Sequence, residues 1–297
     1  MQDFLRDLQD RITTRLEALD GTGKFREDSW DRPGGGGGRT RVLEEGAVFE
    51  RAGVNVSAVH GELPAEMTTT MPGRGTAFLA TGVSLVLHPR SPHVPTVHAN
   101  FRFFAREGAA WFGGGSDLTP YYPRVEDVVH FHRTLRQACD RHDPAHYGRF
   151  KKWADEYFLV KHRGETRGVG GIFFDDLAAD DASWAFVRDA ADCVLPAYVP
   201  IVERRRDDAW TESERAFQLL RRGRYVEFNL VLDRGTLFGL RTAGRIESIL
   251  MSLPPLVSWR YDHVPPPGSA EERALSFLRP IDWLAMGDGT APVPSGD

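Results

Sequence analysis

At 297 residues, with 41% hydrophobic and 27% charged residues, the chain is long enough for one large soluble domain or about two of average size. Asp and Glu together outnumber Lys and Arg by 42 to 37, so the formal net charge of -5 argues against a general affinity for nucleic acid or anionic membranes. Cys139 and Cys193 are the only cysteines, too few for a disulfide scaffold or a zinc knuckle, and they fit a reducing cytosol.

The first predicted element is an amphipathic helix at the amino terminus. Apolar residues recur at helical spacing from Phe4 to Leu19, and Gly21 is a typical helix end. The segment carries acidic residues such as Asp3 and Asp7 and has no apolar core, which is not the pattern of a signal or transit peptide. No later stretch approaches membrane-spanning length. We therefore expect a cytoplasmic protein without membrane insertion.

A glycine-rich run follows, RPGGGGGRT over residues 32–40. Five consecutive glycines do not favour a regular element, and the run lacks the Lys-Ser/Thr pair or the spaced glycines of a phosphate-binding loop. It therefore predicts a flexible linker rather than a nucleotide site.

Strand-like segments then occupy residues 41–111, separated by brief turns that favour antiparallel pairing. In TVHANFRFF, residues 96–104, alternation places His98, Asn100 and Arg102 on one face and apolar residues on the other. An ordinary solvent-exposed face would more naturally carry Lys, Glu, Thr or Ser. This triplet therefore indicates a surface that binds a ligand or performs chemistry.

The second half of the sequence predicts both helices and strands. Helical patterns cover residues 125–139, 150–162, 182–194, 212–222 and 270–278. Strand patterns cover residues 171–177, 224–240, 245–255 and 256–263, and a loose tail is expected at 285–297. The fold class is α/β (α+β): a single domain over residues 1–297, with a large antiparallel-rich sheet flanked by helices on its apolar face.

Polar alternation recurs on other predicted strands. Ser84 and His88 share one face, and Tyr225, Glu227, Asn229 and Asp233 alternate with apolar residues in the same way. Side chains two apart on a strand repeat about every 6.6–6.8 Å, so neighbouring strands of this kind tile a surface with imidazole, amide and carboxylate groups. Such a surface can hold a large, flat ligand with a polar rim.

Several long strings in the sequence carry a family resemblance: HANFRFF, WFGGGSDLTPYY, HFHRTL, KHRGETRGVGGIFFDDL and RYVEFNLVLDRGTLFGLRTAGRIESILMSLPPLVSWRY. They resemble the oxygen-dependent coproporphyrinogen-III oxidase family, over residues from Phe4 to Trp283. The resemblance implies an enzyme of haem biosynthesis that oxidatively decarboxylates two propionates of coproporphyrinogen III to vinyl groups, giving protoporphyrinogen IX. Molecular oxygen is the implied oxidant and no organic cofactor is implied. The chain agrees in lacking a GxGxxG motif that opens a helix after a strand.

The resemblance also implies a set of substrate-binding residues. They are Ser84, Asn100, Phe101, Arg102, Ala243, Gly244 and Arg245. Because the substrate carries four propionates and the protein is acidic overall, local guanidinium groups must bind the carboxylates, and Arg102 and Arg245 are the first candidates. Many similar proteins have glycine where this chain has Ala243, a change that should preserve a backbone contact.

Histidines are the next group of candidates. His98 matches the proposed proton donor of the family, and an imidazole suits that role because its pKa lies near neutrality. His88, His132 and His162 match the histidines that, with His98, are implied to hold a divalent metal in bacterial members. They form no compact ligand motif, and His132 lies on an apolar helix face where structural histidines are common. Metal binding and a metal-free site both stay open.

A carboxylate completes the predicted catalytic group. Asp233 is our choice, because an anion near the pyrrole N–H groups would stabilise the positive charge that develops during oxidation. Asp175 and Asp176 compete for this role, although adjacent strand residues point to opposite faces and at most one should reach the site. A strand-end turn or helix cap is an equally good interpretation of that pair.

The same residues also allow two alternative functions, a metal-dependent oxygenase and a tetrapyrrole carrier. In a metal-dependent oxygenase, two of the histidines and an acidic residue would hold non-haem iron. A tetrapyrrole carrier would bind through the same polar sheet but do no chemistry. The presence of both His98 and Asp233 favours an enzyme, because a carrier would need only the arginines.

The resemblance implies a homodimer, and the apolar run ILMSLPPLVSW predicts that its interface lies within residues 225–260.

Overall fold

A seven-stranded antiparallel sheet forms the centre of the molecule in a computed structural model that describes residues 1–292. Its strand order is β1-β2-β3-β4-β5-β6-β9, so the first six strands pair in chain order, while β7 and β8 form a separate two-stranded ribbon. The strands are β1 (Arg26–Asp31), β2 (Gly36–Glu44), β3 (Phe49–Glu62), β4 (Arg74–Pro89), β5 (Thr96–Glu107), β6 (Ala109–Thr119), β7 (Leu159–Val160), β8 (Glu165–Thr166) and β9 (Gly171–Ala178).

Helices pack around this sheet, and a π-helical turn at Phe228–Leu232 joins two of them. They are α1 (Gln2–Asp20), α2 (Ala65–Thr68), α3 (Val125–Asp140), α4 (Pro144–Tyr157), α5 (Asp181–Asp192), α6 (Val194–Arg205), α7 (Glu212–Glu227), α8 (Arg234–Arg241), α9 (Ile246–Leu250), α10 (Ala270–Ser276) and α11 (Trp283–Gly287). The predicted fold class, an antiparallel sheet flanked by helices in one domain, is confirmed.

The two faces of the sheet differ as the alternation predicted. Val97, Ala99 and Phe101 of β5 are at most 2% exposed and belong to the main hydrophobic core, which also receives the apolar faces of α1, α3, α5 and α6. His98 and Arg102 on the opposite face stay half-buried. The apolar face therefore holds the fold together, and the polar face is left for a site.

The glycine-rich run is not a flexible linker, and that prediction is wrong. The run turns a hairpin: the Arg32 N–H donates to the Gly36 carbonyl at 2.8 Å, and residues 36–44 form β2 between β1 and β3. Gly35 and Gly36 adopt φ values of 114° and 78°, which side chains disfavour. A Cβ at Gly37 would lie 2.3 Å from the Trp30 carbonyl oxygen. The glycines permit this tight turn, and the flanking strands order it.

The strands predicted at 224–240 and 245–255 are also wrong. This part of the chain is helical: α7 begins with a capping box in which the Thr211 hydroxyl accepts a hydrogen bond from the Glu214 N–H, and the π-helical turn, α8 and α9 follow. Tyr225, Val226 and Phe228 are all buried. Asn229 is also buried, whereas Val231 is exposed, so the alternation of polar and apolar residues in this segment does not mark the two faces of a strand. Residues 256–263 form neither a helix nor a strand.

The remaining predictions differ mainly at element ends. The helices predicted near 125–139, 182–194, 212–222 and 270–278 and the buried strand at 171–177 are present, whereas α6 was not predicted. The helix predicted to reach His162 ends at Tyr157, where β7 begins two residues later. The loose tail predicted from residue 285 is wrong at its start, because α11 continues to Gly287 with Met286 buried. Its last part, 293–297, lies outside the described residues.

Candidate active site

The polar face of the sheet forms the floor of the candidate site. Strand register aligns Ser84, Asn100 and Gly115 in one row, and Gly82, Arg102 and Gly113 in the next. Alternate polar side chains and glycines make this surface shallow. A Cβ at Gly113 would lie 2.3 Å from Asp175 Oδ1 and 3.0 Å from Arg102 Nη2, so the missing side chain leaves the space that these two residues occupy.

The segment 228–252 lies over this floor, and we call it the cover. Its Ser248 hydroxyl lies 2.7 Å from the Thr40 hydroxyl of β2. The Met251 side chain packs where Gly53 of β3 has no Cβ. In the middle of the cover, the Phe238 ring packs nearly perpendicular to the rings of Phe78 and Phe104. Floor and cover together bring strands β1 to β6 and β9 into one candidate site.

His98 is held by a buried ion pair. Its Nδ1 lies 2.8 Å from Asp117 Oδ1, and the Arg167 guanidinium donates two hydrogen bonds to the same carboxylate at 2.7 and 2.9 Å. Burial alone would raise the pKa of Asp117, but the Arg167 charge and the His98 hydrogen bond hold it below its ordinary value. Asp117 is therefore a carboxylate that can only accept, which assigns the His98 proton to Nδ1; Arg167 Nη2, which lies 3.1 Å from the same nitrogen, donates to Asp117 Oδ1 instead. Nε2 is then the ring nitrogen left for a ligand.

Arg167 is itself enclosed by aromatic rings. Its guanidinium carbon lies 4.3 to 4.8 Å from the ring centroids of Phe158, Tyr225 and Phe228. It also donates to the Asn229 side-chain oxygen at 2.8 Å. Because Arg167 is only 3% exposed and Asp117 1%, removing either charge would leave the other buried without the opposite charge of this pair, at a cost of about 3–5 kcal/mol. The pair therefore fixes the His98 ring rigidly.

Arg102 and Arg234 share a carboxylate on the floor. Arg102 Nη2 donates to Asp175 Oδ1 at 2.6 Å, and Arg234 Nη2 lies 3.5 Å from Asp175 Oδ2. Both guanidinium groups lie over the Phe173 ring, at 6.0 and 5.7 Å from its centroid. Asp176 points away, where it pairs with Arg149 on the exposed side. Asp175 therefore offsets one of the two guanidinium charges.

Asp233 lies at the start of α8 rather than on a strand, so its predicted placement is wrong. Its Oδ2 accepts a hydrogen bond from the Thr236 N–H at 2.7 Å, which caps the helix, and its Oδ1 accepts one from the Tyr157 hydroxyl at 2.8 Å. Burial alone would raise its pKa, but these two donors and the Arg167 charge hold it below its ordinary value. Asp233 is thus an ionised carboxylate as well as a helix cap.

The other predicted substrate-binding residues occupy two different places. Ala243, Gly244 and Arg245 form the loop between α8 and α9, where Ala243 adopts a left-handed φ of 52°. Arg245 pairs with Asp28 of β1, at the far end of the sheet from Asp175. The Phe101 side chain is buried in the core behind the floor, so only its backbone faces the site.

The structure does not bring the four predicted metal-ligating histidines together. His88 Nε2 lies 2.9 Å from the Ser252 carbonyl oxygen, and His132 lies between the Tyr147 hydroxyl and the Val169 carbonyl. His162 pairs with Glu227 at the surface. Among residues 1–292, no group of three or more His, Cys, Asp or Glu side chains is arranged to hold a metal ion. The residues present therefore do not fit a bound metal.

Sequence reasoning missed four residues of this site. Asp117, Tyr157, Arg167 and Arg234 contact the predicted residues, yet none was assigned a role. The β5–β6 hairpin offered one signal, because a turn near Gly108 places Asp117 opposite His98. Arg167 and Tyr157 come from elements far from His98 in sequence, and only the folded chain brings them near.

One known protein family matches almost the whole described chain. A family model with the description coproporphyrinogen III oxidase matches residues 1–283. The match includes every strand of the floor, the cover, and the helices that pack on the apolar face of the sheet. None of the helices within residues 1–292 combines the length and the apolar character needed to cross a membrane.

Proposed function

Because the chain belongs to the coproporphyrinogen III oxidase family, a family of oxidoreductases in porphyrin biosynthesis, we propose that it converts coproporphyrinogen III to protoporphyrinogen IX. Each of two propionic acid side chains, R–CH2–CH2–COOH, reacts with O2 to give R–CH=CH2, CO2 and H2O2. The carbon–carboxyl bond breaks, a hydride equivalent leaves the carbon next to the ring, and its two electrons reduce O2. The observation that carries the proposal is the shallow, glycine-lined floor between separated arginines.

Arginines at opposite ends of the floor suit a macrocycle with carboxylates around its rim. Arg245 pairs with β1, whereas Arg102 lies on β5, four strands away. Four strand spacings amount to about 19 Å, a distance that a single small carboxylate cannot span but a tetrapyrrole with extended propionates can. Guanidinium groups bind carboxylates through paired hydrogen bonds, so these arginines would orient the substrate.

The proposed chemistry divides between His98 and Asp233. The Nε2 of His98 would accept the proton that the propionic acid group loses as CO2 forms, and would pass it to the reduced oxygen, which leaves as H2O2. The ionised Asp233 would stabilise the positive charge that develops on a pyrrole as the hydride equivalent departs. The reaction balances with O2 as the only co-substrate, so we propose that it needs no organic cofactor.

We also propose that the protein forms a two-fold dimer through residues 225–260. This segment contributes large apolar side chains that are at least two-fifths exposed, namely Leu230, Val231, Leu240, Ile246, Leu256 and Trp259. Exposed apolar groups concentrated in one segment are typical of an interaction surface. A single sedimenting species of monomer mass at micromolar concentration would refute the dimer.

We also propose a cytoplasmic location, because Cys139 and Cys193 are buried and unpaired, as is usual in a reducing compartment.

The direct test is turnover of purified protein, incubated with coproporphyrinogen III in air without added cofactor. We expect protoporphyrinogen IX, with one CO2 and one H2O2 per vinyl group formed. Activity that persists under strict anaerobiosis would refute the oxygen-dependent reaction. Binding of the tetrapyrrole without conversion would favour a carrier, and activity abolished by chelation and restored by a metal would favour the metal-dependent oxygenase.

A further inference from the structure

Tyr157 makes two hydrogen bonds at the start of α8, within the cover. Its hydroxyl donates to Asp233 Oδ1 at 2.8 Å and accepts from the backbone N–H of Arg234 at 3.2 Å. A phenol has one proton to donate, and Tyr157 gives that proton to the carboxylate. One side chain therefore holds both the Asp233 side chain and the following backbone.

The position of this hydroxyl is fixed by the sheet. The Tyr157 ring stacks on Phe173, with centroids 4.0 Å apart and planes 11° from parallel. Phe173 lies on β9, paired with Gly115 of the floor, so the stack connects the floor to Asp233. The Arg234 guanidinium covers the Tyr157 ring at 5.0 Å. These contacts hold Tyr157 on two sides and restrict the movement of its hydroxyl.

The two oxygens of Asp233 have different partners. Oδ2 accepts from the Thr236 N–H, which is the helix cap, whereas Oδ1 accepts from Tyr157. Removal of the phenol hydroxyl would leave the cap in place and free Oδ1 to turn. The effect on Asp233 can therefore be separated from the effect on α8.

We propose that Tyr157 is a positioning residue that orients the Asp233 carboxylate toward the pyrrole ring being oxidised. The inference rests on the proposed function, because it needs Asp233 to act in that reaction. It assigns to Tyr157 no contact with the substrate. The carboxylate alone touches the reacting ring, and Tyr157 acts through it.

The test is a double-mutant cycle with Tyr157→Phe and Asp233→Asn, measured as kcat and KM for coproporphyrinogen III. Tyr157→Phe keeps the stack on Phe173 and removes only the hydroxyl. We expect kcat to fall about tenfold, in line with loss of one hydrogen bond to a charged group, with KM within about twofold of the wild type. The double variant should have the kcat of Asp233→Asn alone, because a misdirected carboxylate no longer matters once its charge is gone.

Tyr122→Phe is the matched control, because its hydroxyl donates to the carboxylate of Glu271 at 2.6 Å, away from the candidate site. It should keep wild-type kcat. Two results would overturn the inference: multiplicative losses in the double variant, or a Tyr157→Phe protein with a lower Tm and unchanged kcat. An inactive wild-type protein would refute the proposed function and this inference together, whereas an active wild type with multiplicative losses would refute the inference alone.

Discussion

Arg102 is the residue whose loss should affect binding most directly. Arg102→Ala removes the guanidinium that pairs with Asp175 on the floor. The substrate should therefore lose the contact between this guanidinium and one of its carboxylates. We expect KM to rise by the equivalent of about 1.5–3 kcal/mol, while kcat changes less. Steady-state kinetics would measure both. Arg149→Ala is the control, because Arg149 pairs with Asp176 on the other side of the strand and should leave KM unchanged.

Asp233 should affect the chemical step instead. Asn is as good a helix cap as Asp, so Asp233→Asn keeps the cap on α8, removes the charge and replaces the oxygen that accepts from Tyr157 with an NH2 group. We expect kcat to fall by about 10²–10³-fold with KM little changed. Thermal unfolding would verify that the variant is folded. If Asp233→Asn kept its kcat while Asp175→Asn lost it, the catalytic carboxylate would be Asp175.

Without the family resemblance, individual site residues could be predicted from the side-chain pattern only where one strand carries them. His98, Asn100 and Arg102 share a face because side chains alternate along β5, and no knowledge of the rest of the chain is needed. The ion pair behind His98 joins Asp117 of β6 to Arg167, which follows β8. No local pattern links those two residues, since their contact depends on the tertiary fold.

Among the elements, strand β6 depends on Gly113, which leaves the space that the Arg102–Asp175 pair occupies. Gly113→Ala would place a Cβ in the space now occupied by the Arg102–Asp175 pair. We expect the pair to separate, unfolding free energy to fall by about 1–3 kcal/mol, and KM to rise. Gly148→Ala is the control: Gly148 lies in α4 with no atom within 4 Å of an added Cβ, so the change should stabilise that helix. A Gly113→Ala protein with wild-type KM and stability would contradict this role of Gly113.

The same period-two pattern was correct for β5 and wrong for residues 224–240. In β5, polar residues lie on one face and apolar residues on the other, as in any half-buried strand. In α7 and the π-helical turn, Asn229 is buried against Arg167 while Val231 is 60% exposed, so polarity does not follow burial. Where a helix next to a functional site buries polar residues, its polar and apolar residues can alternate with a period of two, and the sequence then wrongly predicts a strand.

At the scale of the whole molecule, two buried histidines should make stability depend on pH. Burial lowers the pKa of His132 to about 3 and the pKa of His88 well below its ordinary value. Below about pH 6.5 the unfolded chain binds protons that the folded chain does not, so stability is full above that pH and falls as the pH decreases. Each histidine contributes up to about 1.4 kcal/mol per pH unit.

Urea unfolding across the range from about pH 5 to 6.5 measures this dependence. We expect His132→Gln to reduce the slope of unfolding free energy against pH by about one proton, whatever its effect on the absolute stability. Above about pH 8, where histidines are neutral in both states, the two proteins should show the same slope. Equal slopes in the acid range would show that His132 takes up its proton in the folded protein as well.

The strand order also has a consequence for folding kinetics. Strands β1 to β6 pair in chain order, so the floor assembles from successive hairpins with short closing loops, whereas β9 and the cover join it across long stretches of chain. Pulse-labelling hydrogen exchange should therefore protect amides of β3 to β5 before those of α8 and α9, and simultaneous protection would contradict that order. An early intermediate would expose the floor to solvent. Because that face is polar and glycine-rich, the side-chain pattern that suits a ligand also keeps the half-folded sheet from associating with other chains.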